Sequence, residues 1–180
     1  MKYVYFILIT LLITSCIPIR IAPSIEDYKL TSGKKFKRQL PRENAFVFED
    51  PKDANEFYNF INTKYSLNHQ MVEDNVPIHV NGEEYFLSFY EVEIPDKSLN
   101  LWPFFANEAL KNKGIDPIFT DFYVKRKGNW YIALYVSDAD MNDCLTANYP
   151  FKEAILSHLK EIKNEYLNTS NYFEALLKMN

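Results

Sequence analysis

Val76–Ile94 reads VPIHVNGEEYFLSFYEVEI, and this stretch decides the fold. Asn81-Gly82 at its centre is the strongest two-residue turn signal, because a tight hairpin turn needs two residues at positive φ. Aliphatic and aromatic residues flank the turn on both sides, as strands require. A two-residue turn also fixes the register. Val80 faces Glu83, His79 faces Glu84, Ile78 faces Tyr85 and Pro77 faces Phe86. Pro77 has no N–H to give to a ladder, so its strand lies at an edge or begins there. The return strand, Glu83–Ile94, carries aromatics on both faces and is expected inside a sheet.

A second hairpin is expected over residues 119–137, with Lys127-Gly128-Asn129 as a three-residue loop. That loop sets Arg126 opposite Trp130, Val124 opposite Ile132 and Phe122 opposite Leu134. Trp130, Ile132, Leu134 and Val136 then share one face with Phe122 and Val124. Tyr123, Tyr131, Ala133 and Tyr135 take the other. A two-residue Gly128-Asn129 loop would place Lys125 opposite Ile132 and mix the faces, since one residue of slip inverts a strand.

Helices fill the gaps between strands. Ala45–Glu49 reads as a short strand, and Asp50-Pro51-Lys52-Asp53 then reads as a helix start, with Asp50 as N-cap and Pro51 at the first position. The spacing of Ala54, Phe57, Tyr58, Ile61 and Tyr65 predicts one apolar stripe on a helix over 51–65. Residues 66–75 are polar and read as a loop. Further helices are expected over 101–113, stopped by Gly114, over 150–167, capped by Asn148, and over 171–178. Strands in hairpins alternating with helices argue an α+β fold, with helices packed on a largely antiparallel sheet.

Composition bounds the function. The chain has 180 residues, 47% hydrophobic and 24% charged, which is globular and the size of one domain. A net charge of −4 argues against a nucleic-acid binder. Two cysteines, Cys16 and Cys144, exclude a disulfide scaffold. Four glycines leave no phosphate-binding loop, and GxSxG, GxGxxG and HExxH are all absent. No cofactor is expected.

The N-terminus carries an address. Lys2 precedes an apolar run, Tyr3–Thr14, that is too short to span a bilayer and suits a signal sequence. It ends in Ile13-Thr14-Ser15-Cys16, an aliphatic residue, a β-branched residue, a small residue and a thiol. This segment resembles the lipobox of bacterial lipoproteins. The resemblance covers the first 16 residues and implies cleavage before Cys16 and lipidation of its thiol. Several acyl chains hold a protein on a membrane durably, at about 0.8 kcal/mol per buried CH₂. Residues 1–15 are then the signal peptide, 16–43 a lipidated N-terminus and tether, and 44–180 the domain. No aspartate follows Cys16, which favours the outer over the inner membrane. The basic cluster at Lys34, Lys35, Lys37 and Arg38 reads as part of a solvated linker.

Four features bear on chemistry. His79 and Glu84 face each other across the first hairpin, the minimum kit for a general base; the same pair also reads as a cross-strand surface contact. Asp138, Asp140 and Asn142 have the first spacings of a calcium loop. Asp143 stands where that loop wants glycine and Tyr149 where it wants glutamate, so a local turn is the favoured reading. Cys144 is a lone thiol and reads as a small buried residue. Tyr123, Tyr131 and Tyr135 form a stripe, in a chain that is 16% aromatic, and could stack on a ligand or partner. The expected function is a lipid-anchored, non-enzymatic binding or structural module of the cell envelope, contacting the membrane through Cys16. An immunity-type inhibitor and a hydrolase built on His79 and Glu84, or on a cation near Asp138, are the alternatives.

Overall fold

In the computed structural model, Asn81 and Gly82 adopt φ of 55° and 87°, as a two-residue hairpin turn demands. The flanking strands pair antiparallel in the register the turn dictates: Val80↔Glu83, His79↔Glu84, Ile78↔Tyr85 and Pro77↔Phe86. The structure describes residues 17–19, 22–52, 55–99 and 124–169. Their elements, in chain order, are β1 (Ile17–Ile19), β2 (Lys29–Ser32), α1 (Gly33–Phe36), β3 (Asn44–Asp50) and α2 (Glu56–Lys64). β4 (Val76–Val80), β5 (Glu83–Leu99), β6 (Val124–Ser137) and α3 (Lys152–Asn168) follow.

The chain divides into two units. One takes Met1–Pro23 and Ile94–Asn129, the other Ser24–Glu93 and Trp130–Asn180. In the first, β1 pairs antiparallel with the end of β5, Ile17 facing Leu99 and Ile19 facing Lys97. The Asn129 side chain there donates to the Ile94 carbonyl at 3.4 Å.

The second unit is α+β. Its antiparallel sheet has the order β4-β5-β6-β3-β2. β3 lies between β2 and β6, with Phe46 facing Leu134 and Phe48 facing Ile132. Strand alternation sends Phe46, Phe48, Ile78, Leu87, Phe89, Ile132 and Leu134 to one face, all buried. Against that face pack α2, through Phe57, Phe60 and Ile61, and α3, through Ile155, Leu159, Ile162 and Tyr166. Full burial of each such side chain contributes about 1.5–3 kcal/mol. Phe57 is the hub, meeting the rings of Phe48, Phe60, Phe89 and Tyr166 within 6.0 Å. Lys64 pairs with Glu165 at 2.5 Å and ties α2 to α3.

Along β3 and β6 the opposite face is also covered. The Phe36 ring meets Tyr131 edge-on at 5.2 Å. Gly33 lies so close to the Tyr135 hydroxyl that a Cβ there would overlap it. Residues 24–43 thus do not behave as the expected tether. They form β2 and α1, and bury Ile25, Gly33 and Leu40. The alternation of the sheet's second face explains this: Ala45, Val47, Tyr131 and Ala133 are apolar and need a cover.

Three other expectations are corrected. The helix expected over 51–65 runs only from Glu56 to Lys64. Asp50 is the last residue of β3, paired with Trp130, so its backbone belongs to a ladder and not to a helix start. Its carboxylate accepts from the Lys52 N–H at 3.0 Å, and Asn55, at φ 68°, turns the chain into the helix. Next, β6 is continuous through Lys127-Gly128-Asn129, where a hairpin loop was expected. Gly128 is not at positive φ, and Asn129 is fastened to Ile94 of the neighbouring strand. Ladder pairing along a long neighbour outweighs the local turn preference of one glycine. The face assignment of Trp130 to Val136 survives, because a three-residue loop and a continuous strand keep the same parity. Last, α3 begins at Lys152 after Phe151, with no side-chain cap, so Asn148 does not serve as one. The helices expected over 101–113 and 171–178, and residues 119–123 of the second hairpin, lie outside the described residues.

Candidate functional site

Strand alternation builds the site. Phe86, Ser88 and Tyr90 stand two apart on β5, on the face opposite Tyr85, Leu87 and Phe89. Tyr135 of β6 meets the Tyr90 ring edge-on at 5.5 Å. Beside these rings lies a pocket of about 310 Å³. Glu43 and Asn44, at the start of β3, line one side. Asp74 and Asn75 line another, from the loop before β4. Met141 and Asp143 come from the loop after β6.

Both loops are held by specific bonds. Asn75, at φ 56°, donates its N–H to Ser88 Oγ at 3.0 Å, and the Phe89 N–H reaches the Glu73 carbonyl at 2.9 Å. Asp143 accepts from the backbone and side-chain nitrogens of Asn44, both at 2.8 Å, and from the Leu145 N–H at 2.9 Å. Its carboxylate is therefore committed to structure.

Tyr135 is the unusual member. It is only 8% exposed, and its hydroxyl is buried without a hydrogen-bond partner. A buried polar group left unpaired costs about 1–3 kcal/mol. Burial, with the nearby Tyr90 and Glu43, pushes its ionisation far above the ordinary tyrosine range, so the hydroxyl stays protonated. Tyr90 is 40% exposed and Met141 74%, so large apolar groups stand open beside the pocket.

Of the stripe read from the sequence, Tyr131 is fully buried, Tyr135 is nearly so and Tyr123 lies outside the described residues. Among the described residues of the stripe, neither tyrosine is open, and Tyr135 alone lines a pocket. His79 and Glu84 do face each other, both exposed, but no hydrogen bond or ion pair joins them. His79 instead lines a groove of about 290 Å³ with Ser157, His158 and Glu161 of α3. His158 Nδ1 lies 3.8 Å from Glu161, and its Nε2 is buried without a partner. Burial lowers the His158 pKa, with Glu161 acting against it. Sequence spacing hid this approach, because it joins a strand to a helix far along the chain.

Asp138 organises its own turn. Its Oδ1 accepts from the N–H groups of Asp140 and Asn142 at 3.0 and 2.9 Å. Its Oδ2 accepts from the Asn142 amide at 3.0 Å and the Tyr149 hydroxyl at 3.2 Å. These bonds, the Asn142 side chain foremost, hold its pKa down. Among the described residues no group of three or more His, Cys, Asp or Glu side chains could hold a metal ion. Cys144 is a buried free thiol, and burial raises its pKa. Cys16 lies outside the described residues.

The sequence reading missed Tyr90, Glu43, Asp74 and Met141. A usable signal existed for Tyr90, since Phe86, Ser88 and Tyr90 alternate on one strand face. No known protein family, curated protein or solved structure matches this chain.

Proposed function

We propose that this protein is a lipid-anchored binding module of the bacterial cell envelope, and that the pocket beside Tyr90 and Tyr135 holds its ligand. The observation that carries the binding reading is the buried, unpartnered Tyr135 hydroxyl of a residue lining that pocket. Folded proteins pair nearly all buried polar groups, and an exception at a cavity supports a functional role. The anchor and the envelope location rest on Ile13-Thr14-Ser15-Cys16 and the apolar run before it.

Two experiments test the two halves. For the pocket, ¹⁵N-labelled full-length protein is titrated with small fragments of mixed charge. Amide shifts are expected to gather at Asn75, Ser88, Tyr90, Tyr135 and Ser137. Fragments that shift other surfaces and leave these amides still would overturn the binding reading. For the anchor, Cys16→Ala is expressed in a bacterial host, and its membrane partition and mobility are compared with the parent. Loss of both is expected. Unchanged partition would remove the lipid anchor and leave the pocket reading intact.

A further inference from the structure

Charge in the pocket has one sign. Among the described residues Glu43, Asp74 and Asp143 line it, and no Lys, Arg or His does. Asp143 is already held by Asn44 and Leu145. Glu43 and Asp74 are exposed at their own positions and make no ion pair among the described residues. Two free carboxylates therefore flank a pocket whose wall is aromatic. Aromatic faces attract cations through their quadrupole, within about 6 Å of the ring centroid. The Tyr135 ring lines the pocket, while its hydroxyl lies buried beside Gly33. Phe86, Val136 and Met141 supply apolar surface for a ligand body.

From these features we infer that the pocket takes a primary ammonium group on an alkyl stem. This inference rests on the binding reading above and specifies its ligand. Glu43 and Asp74 pair with the ammonium, and the Tyr90 and Tyr135 rings receive its charge. The stem lies on Phe86, Val136 and Met141. A phosphate or carboxylate ligand would meet like charge and no donor cation. The same chemistry has two sources, a free alkyl diamine or a lysine side chain on a peptide.

The probes are 1,5-diaminopentane, Nα-acetyl-lysine methylamide, and 1,5-pentanediol as the neutral isostere. Each is titrated into the full-length protein, followed by the amide shifts of Asn75, Tyr90 and Tyr135. Saturable shifts are expected with at least one ammonium probe. The diol is expected to bind at least tenfold more weakly. Stronger binding of the diamine names a free amine as the source, and stronger binding of the lysine amide names a peptide. Asp74→Asn and Glu43→Gln are surface changes and should each weaken the ammonium probe by about two- to fivefold, with the affinity falling further as salt is raised. Diol and diamine binding equally well would overturn the ammonium assignment while leaving a binding pocket. Failure of both ammonium probes, with neutral or anionic fragments still shifting these amides, would also overturn it. Shifts at these amides by no compound of any charge would overturn the binding reading as well.

Discussion

Asp50 is a carboxylate that the fold buries without a full counter-charge. It is 8% exposed, accepts from the Tyr166 hydroxyl at 2.8 Å, and takes the Lys52 N–H as well. The Lys52 ammonium is engaged elsewhere. It caps the end of α3 at the Tyr166 and Thr169 carbonyls, 2.5 and 2.6 Å away, where the helix dipole favours a cation. Desolvation dominates and pushes the Asp50 pKa up, with the Lys52 and Tyr166 hydrogen bonds pulling back. The folded state then keeps a proton on Asp50 where the unfolded chain has lost it. That contribution is complete below the ordinary aspartate range and is lost as pH rises through the raised value. Asp50→Asn should therefore lose less stability than the parent as pH rises across this window. Urea unfolding of both proteins at a series of pH values checks it. Parallel curves would mean that Asp50 is solvated in the folded state.

At the scale of elements, α2 is the keystone between sheet and helix. Its Phe57 is fully buried against four other rings, so Phe57→Ala should cost about 3–5 kcal/mol, read from the shift of a urea unfolding curve. A cost under 1 kcal/mol would mean that the cluster closes over the gap. Legibility in the sequence also divides at this scale. The first hairpin was readable to the residue, because Asn81-Gly82 is a local signal and its register follows from turn length alone. The ends of α2 and β6 were not. Asp50 has the chemistry of an N-cap, but pairing with Trp130 claims its backbone. Gly128-Asn129 has the chemistry of a turn, but the neighbouring strand holds Asn129. The pocket was legible only as scattered parts. Tyr135 stood in the tyrosine stripe and Tyr90 in an aromatic strand, whereas Glu43, Asp74 and Met141 reach it through loops with no local signature.

Across the whole molecule, two tyrosines with similar sequence settings end in different roles. Tyr131 fills the interior under Phe36, and Tyr135 lines a pocket with its hydroxyl buried beside Gly33. Cys144 joins the interior, fully buried with its thiolate disfavoured. Its reaction with a thiol reagent should therefore wait on unfolding, and labelling in native buffer should be slower by orders of magnitude than in urea. Rapid native labelling would place Cys144 at an open surface. The pocket makes a sharper demand. A buried, unpaired hydroxyl costs the protein stability, so removing it should return that cost. The measurement is the unfolding free energy of Tyr135→Phe against the parent, in urea and without ligand. An increase of about 1–3 kcal/mol is expected. A decrease would mean that the hydroxyl already has a partner inside the fold, and that nothing at Tyr135 is held open for a ligand.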